Sequence, residues 1–125
     1  MKYLCAFAAL AAVIGAPVHA ACTFPAPPHQ IPDGRTATAE QMKDGQKAVD
    51  DYSAAITTYV QCLDMESEDA IAKAGETMTA DQKEQVRRIT QQKHLAAVAQ
   101  QQDIAARFTE QLRVFTAKEK DKKGF

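Results

Sequence analysis

Apolar residues recur at alternating steps of three and four through residues 38–74, and this is the most regular pattern in the chain. The spacing places them along one side of an α-helix, as in helices that pack into a coiled coil. Thr38 and Gln41 have the form of an N-terminal capping box, and Gly75 is a typical residue after a helix end. We therefore predict one long helix, with a break near Ser67 as the alternative. Its apolar side consists of Met42, Gly45, Val49, Tyr52, Ile56, Tyr59 and Leu63.

A second long helix is predicted over residues 80–118, because this stretch lacks proline and glycine and follows a second capping box, Thr79 with Gln82. Only residues 75–78 separate the two helices, and so short a connection makes them antiparallel neighbours. The predicted fold is all-α, an antiparallel two-helix hairpin over residues 38–118, followed by a basic tail over residues 119–125. The apolar side of the second helix consists of Val86, Ala97, Ile104, Phe108, Leu112 and Phe115.

The hairpin model also predicts which residues face each other. Folding the chain about Thr77 brings Gly45 close to Phe108, so that a ring meets a position without a side chain. The same alignment sets the acidic residues 64–69 opposite the basic residues at the start of the second helix, which are Lys83, Arg87 and Arg88. These two agreements favour this register over neighbouring ones.

Residues 21–37, which we call the strap, are predicted to be extended. Four of the eleven residues from 22 to 32 are proline, which fixes its own φ and pushes the preceding residue toward extended conformations. Residues 31–34 (Ile-Pro-Asp-Gly) then favour a β-turn. A strap of about 40 Å matches the roughly 35 Å from the start of the first helix to Cys62. We predict that the strap returns along this helix and that Cys22 and Cys62 form a disulfide, with two unpaired thiols as the alternative.

The first 20 residues have the pattern of a secretory signal peptide. Lys2 precedes an apolar run over residues 3–14, which is shorter than the roughly 20 residues of a membrane span. We predict cleavage after Ala20 and export to the periplasm, where disulfides form. The alternative is a lipoprotein anchored at Cys22, which would leave Cys62 unpaired, although His19 stands where such sites usually carry leucine.

The net charge and the absence of catalytic motifs exclude several classes of function. The chain has 15 Lys and Arg and 16 Asp and Glu, and loss of Lys2 leaves 14 against 16, a net charge of −2. This near-neutral balance argues against binding to nucleic acid or to anionic membranes. After cleavage only His29 and His94 remain as histidines, in different predicted elements and without metal-ligand spacing. Because no nucleophile elbow or phosphate-binding loop is present, we predict a non-enzymatic protein without catalytic residues, cofactor or metal.

Three short segments together resemble a known group of proteins: residues 28–34 (PHQIPDG), 59–63 (YVQCL) and 105–115 (AARFTEQLRVF). The chain resembles a group of small exported proteobacterial helical proteins of unassigned function, which have a leader, a cysteine near the mature start and a long helical pair. The resemblance implies that the cysteine pairing and the region of Phe108 are shared features. It implies no activity and no functional residue.

A helical hairpin with one strap has a thin core, and domains this small often need a staple or a partner. We therefore predict an interaction or structural protein that acts through a helical face, binding a second copy in a four-helix bundle or an envelope protein. The predicted face consists of Tyr52, Tyr59, Phe108 and Phe115, and the alternative is that these aromatic residues fill the hairpin core. The other function that we consider is an inhibitor or immunity-type protein that blocks a secreted hydrolase.

Overall fold

The computed structural model describes residues 21–124 as two long helices, α1 (Ala39–Ala74) and α2 (Ala80–Lys123), joined by a short 3-10 helix (Gly75–Thr77). Both capping boxes are present: the hydroxyl of Thr38 accepts a hydrogen bond from the Gln41 amide, and the Gln41 side chain accepts one from the Thr38 amide. Thr79 and Gln82 repeat this arrangement at the start of α2. The predicted all-α hairpin is confirmed for this part of the chain, whereas the predicted signal peptide, residues 1–20, lies outside the described residues.

The helix ends refine the prediction. α1 runs through Ser67 without a break to Ala74, and the φ of 52° at the next residue, Gly75, lies in the region that favours glycine. α2 continues to Lys123, so residues 119–123, predicted as part of a basic tail, belong to the helix. The lysines of its last turn are favourably placed near the negative end of the helix dipole, and the ammonium of Lys122 lies 3.1 Å from the carboxylate of Glu119.

The two helices pack against each other along their predicted apolar sides. Six of the seven positions predicted for α1 are buried, and Tyr59 is half-buried. A Cβ atom placed on Gly45 would lie 3.0 Å from the ring of Phe108, so the predicted register is confirmed. The hydrophobic core consists of Ala37, Met42, Val49, Tyr52, Ile56, Ala97, Ile104 and Phe108.

The charges near the turn follow the predicted register but pair differently from the expectation. Asp64 reaches α2, where its Oδ1 lies 3.1 Å from Nε2 of His94. Arg87 and Arg88 instead approach Glu84 of their own helix, at 3.9 and 3.8 Å. Residues three and four apart on a helix are already neighbours, so such local pairs form without any constraint from the partner helix.

The strap returns along α1, as predicted. Cys22 and Cys62 form a disulfide with their Cα atoms 5.8 Å apart. The rings of Phe24 and Tyr59 meet edge to face with centroids 5.1 Å apart. The strap therefore covers one side of the hairpin from the disulfide to the start of α1.

The turn between the strap and α1 lies further along the chain than predicted. The carbonyl of Asp33 accepts hydrogen bonds from the amides of Thr36 and Ala37, at 3.1 and 2.8 Å, so the turn begins at residue 33 rather than 31. The Asp33 carboxylate also accepts a bond from the Arg35 amide at 2.9 Å, which is the local turn that aspartate favours. The turn is fastened to α2, because the Gly34 amide donates to the side-chain oxygen of Gln111 at 2.9 Å and Lys118 donates to the Ala37 carbonyl at 3.0 Å.

Gly45 provides the first prediction. Alanine at this position is expected to lower the free energy of unfolding by about 1–2 kcal/mol, although alanine favours helix by about 1 kcal/mol over glycine. The new Cβ would lie 2.6 Å from Cγ of Pro32, so the strap must move away. Urea denaturation measures the loss. Adding Pro32→Ala removes the clashing ring atoms and should recover most of the stability, and a Gly45→Ala variant more stable than the parent would contradict this packing.

Candidate functional site

The four aromatic residues predicted to form an interaction face do not form a free surface. Tyr52 and Phe108 are only 4% and 3% exposed and lie in the core. Tyr59 and Phe115 pack against that core, with Phe24 on the ring of Tyr59 and the Lys118 ammonium 4.8 Å from the ring centroid of Phe115. The prediction of this face is corrected. The four residues lie on the seam between the two helices, where removing their apolar surface from water stabilises the fold. The alternative stated from the sequence, that they fill the core, describes their position.

Tyr52 carries a hydroxyl that has no hydrogen-bond partner among the described residues. Burial raises the pKa of this side chain. Leaving a buried hydroxyl unpaired costs about 1–3 kcal/mol. We expect Tyr52→Phe to raise the free energy of unfolding by about 1 kcal/mol, because the ring keeps its packing and the unpaired group is removed.

Urea denaturation of Tyr52→Phe beside Tyr59→Phe measures this difference. Tyr59 is half-buried, and its hydroxyl is not among the unpaired buried groups. The Tyr59 variant should therefore unfold close to the parent. A Tyr52→Phe variant that loses stability would show that the hydroxyl has a partner in solution.

A stretch without charge lies at the same level on both helices. α1 carries no charged residue from 52 to 63, and α2 carries none from 95 to 102. Because Gly45 faces Phe108, stepping along the antiparallel pair brings these two stretches side by side. We call them together the uncharged belt. Its large exposed apolar side chains are Leu95, 64% exposed, and Val98, 37% exposed.

The strap covers one side of the hairpin and leaves the other side uncovered. The strap forms one wall of a groove whose other wall on α2 includes Gln100 and Arg107. Gln91 of α2 instead lines a groove with Asp64 and Glu68 of α1, on the other flank of the helix. Val98 follows Gln91 by seven residues and so lies on that same flank. We call this uncovered side, which presents Leu95 and Val98, the open face.

The open face is bounded by charges of opposite sign. Lys43 and Asp64 are three heptads apart on α1 and lie in one line, and Lys47 and Glu68 lie in a second line with the same spacing. Both lines carry lysine at the end near the strap turn and an acid at the end near the interhelix turn, and the line of Lys43 also carries Asp50 just before the uncharged belt. Within residues 21–124, neither Lys43 nor Glu68 takes part in an ion pair, whereas Lys47 pairs with Asp51 of its own helix at 2.5 Å. The open face is therefore apolar at its centre and polarised along its length.

The remaining chemistry of the described residues is sparse. His29 lines the groove under the strap, and His94 lies beside Asp64, so the two histidines are separate. Residues 21–124 contain no group of three or more His, Cys, Asp or Glu residues arranged to hold a metal ion. None of the helices described is both long and apolar enough to cross a membrane.

Comparisons with known proteins found no matching family model, no matching curated protein and no matching solved structure. The candidate site is therefore assigned from the residues of this chain alone. The open face was not predicted from the sequence. Its two uncharged runs are separate in the chain, and they form one surface only because the packing of α1 against α2 sets them side by side. The absence of charge from residue 52 to residue 63 was visible in the sequence itself.

Proposed function

We propose that the protein is a non-enzymatic exported interaction protein that binds its partner through the open face. The observation that carries this proposal is the alignment of the two uncharged runs, with Leu95 and Val98 exposed at their centre. Depletion of charged residues is the compositional signal that distinguishes the core of a protein interface from ordinary surface. A solvated helical face would normally carry charges at these positions.

The disulfide supports the proposed location. Disulfides persist in oxidising compartments such as the periplasm and are rare in the cytosol. Pairing of Cys22 with Cys62 also occupies the thiol that the lipoprotein alternative requires. We therefore propose periplasmic export with cleavage after Ala20, without a lipid anchor.

An inhibitor of a secreted hydrolase is the less favoured function. Enzyme inhibitors commonly place a projecting segment in the active-site cleft, whereas only residues 75–79 connect α1 and α2, and three of them form a 3-10 helix. The longest non-helical segment among residues 21–124 is the strap, which is tied to α1 by the disulfide and to α2 through Gly34. The open face is broad and made by two helices, which suits another helical surface better than a cleft.

Site-specific photo-crosslinking in the periplasm tests the proposal. A photoreactive residue at Leu95 should give one discrete adduct, because this side chain lies at the centre of the open face. The matched control is Lys93, which is also exposed but shares its flank of α2 with Gln100 and Arg107, on the strap side. An adduct from position 95 and none from 93 supports the proposal. Equal yields at both positions, or no adduct from 95, would refute it, and an adduct containing a hydrolase would favour the inhibitor.

A further inference from the structure

We infer that the occupant of the open face is a second copy of this chain, packed antiparallel about a two-fold axis that crosses the uncharged belt at right angles to the helices. This inference rests on the proposed function and names its partner. In such a dimer α1 lies against α1 and α2 against α2, each pair antiparallel, and the result is a four-helix bundle.

The charges of α1 set the position of the axis. Pairing Lys43 with Glu68 of the second copy places the axis midway between them, between Ala55 and Ile56. Pairing Lys47 with Asp64 of the second copy gives the same midpoint, although these are different residues. The two-fold symmetry then forms each pair twice, so that four attractive contacts lie at the two ends of the interface.

The positions between these pairs on the same two lines of α1 agree with the same axis. It sets Thr57 against Ala54 of the second copy, where small side chains let the helices approach. It sets Asp50 against Gln61 of the second copy, so that an acid meets an amide that can donate a hydrogen bond. Along these two lines of α1 the axis opposes no two like charges.

The apolar residues of α2 give an independent test of this axis. The contact of Gly45 with Phe108 relates the levels of the two helices, and it places the level of Ala55 and Ile56 beside Ala97 and Val98. Val98, one of the two large exposed apolar side chains of the uncharged belt, therefore lies at the axis, where it would meet its own symmetry mate, and Leu95 lies three residues away, beside Val98 of the second copy. Charges on α1 and apolar exposure on α2 thus select the same centre.

The area agrees with a stable dimer. From residue 43 to residue 68 the face is about 38 Å long at 1.5 Å per residue, and two adjacent helices make it about 20 Å wide. The projected area is about 750 Å² on each copy, close to the roughly 800 Å² per partner of a standard interface. The face is therefore large enough for a specific dimer without further elements.

Sedimentation of the oxidised protein over a concentration series tests the inference through charge exchange. Lys43→Glu alone and Glu68→Lys alone should each raise the dimer dissociation constant about tenfold, because each places like charges together twice. Both substitutions in one chain should restore the constant to within about threefold of the parent, because the pair is rebuilt with its signs exchanged. Lys93→Glu, on the strap side, is the matched control and should leave the constant unchanged.

Leu95→Glu should raise the dissociation constant by at least about thirtyfold, because it places two carboxylates near the axis. Circular dichroism of each variant shows that the helices are intact. A parent protein that stays monomeric at several hundred micromolar, or a doubly substituted chain that dimerises more weakly than either single variant, would overturn the inference. If the protein is monomeric and position 95 still gives an adduct with another protein, the inference of a dimer is overturned and the proposed function stands. If position 95 gives no adduct at all, both the dimer and the proposed function are refuted.

Discussion

Replacing both Cys22 and Cys62 with serine is expected to lower the free energy of unfolding by about 4 kcal/mol. The disulfide joins residues 40 apart, and opening it frees the strap and the first two thirds of α1 in the unfolded chain. Small domains are stable by only about 5–15 kcal/mol in total. The core here is thin, with Ile56 the largest fully buried side chain among the described residues, so little else compensates. We expect the variant to be largely unfolded near 37 °C.

Urea denaturation of the parent, the reduced parent and the doubly substituted protein measures this effect. Reduction should shift the parent to the midpoint of the Cys22→Ser, Cys62→Ser variant, because both lack the same cross-link. Intact mass before and after alkylation shows whether the parent gains two alkyl groups only after reduction. A reduced parent that unfolds at the same urea concentration as the oxidised one would contradict the role of the disulfide, and an acyl chain on Cys22 would contradict the pairing itself.

Much of this architecture was encoded locally and could be predicted from the sequence. The capping boxes at Thr38 and Thr79 and the stop at Gly75 are properties of a few adjacent residues. The packing register of α1 against α2 could also be predicted, because Gly45 is the one residue without a side chain on the α1 seam and Phe108 is a large ring at the matching level. The disulfide followed from two lengths, that of an extended proline-rich segment and that of a helix, which local geometry fixes within narrow limits.

The candidate site could not be predicted in the same way, because exposure depends on which side of the hairpin the strap covers. Tyr52 and Phe108 have the composition of an interface, yet they are core residues because the two seams meet there. Leu95 looks unremarkable in the sequence, yet it is exposed because the strap takes the opposite flank of α2. Apolar periodicity identifies the side of a helix that packs against the other helix. It does not identify which of the remaining sides the strap leaves uncovered.

Gly34→Ala is expected to be the most damaging replacement of a described glycine by alanine, with a loss of about 3 kcal/mol. Its φ is not positive, so the cost comes from space rather than from backbone conformation. A Cβ atom would lie 2.0 Å from the carbonyl oxygen of Gln111 and 2.8 Å from the amide nitrogen of Phe115. Both are backbone atoms inside α2, which cannot yield as a flexible side chain can. The turn must therefore lift away from α2.

Lifting the turn also breaks the two hydrogen bonds that fasten it, from the Gly34 amide to Gln111 and from Lys118 to the Ala37 carbonyl. Amide exchange at residues 34–37 should become faster, while the turn at Gly75 keeps its protection. Gly124→Ala is the matched control, because its Cβ would meet nothing closer than 3.6 Å, and it should change stability by less than about 0.5 kcal/mol. If Gly34→Ala and Gly124→Ala unfolded at the same urea concentration, the close contact of the turn with α2 would be disproved. A selective loss at Gly34 would instead show that the strap is held at both ends, by the disulfide on α1 and by this contact on α2.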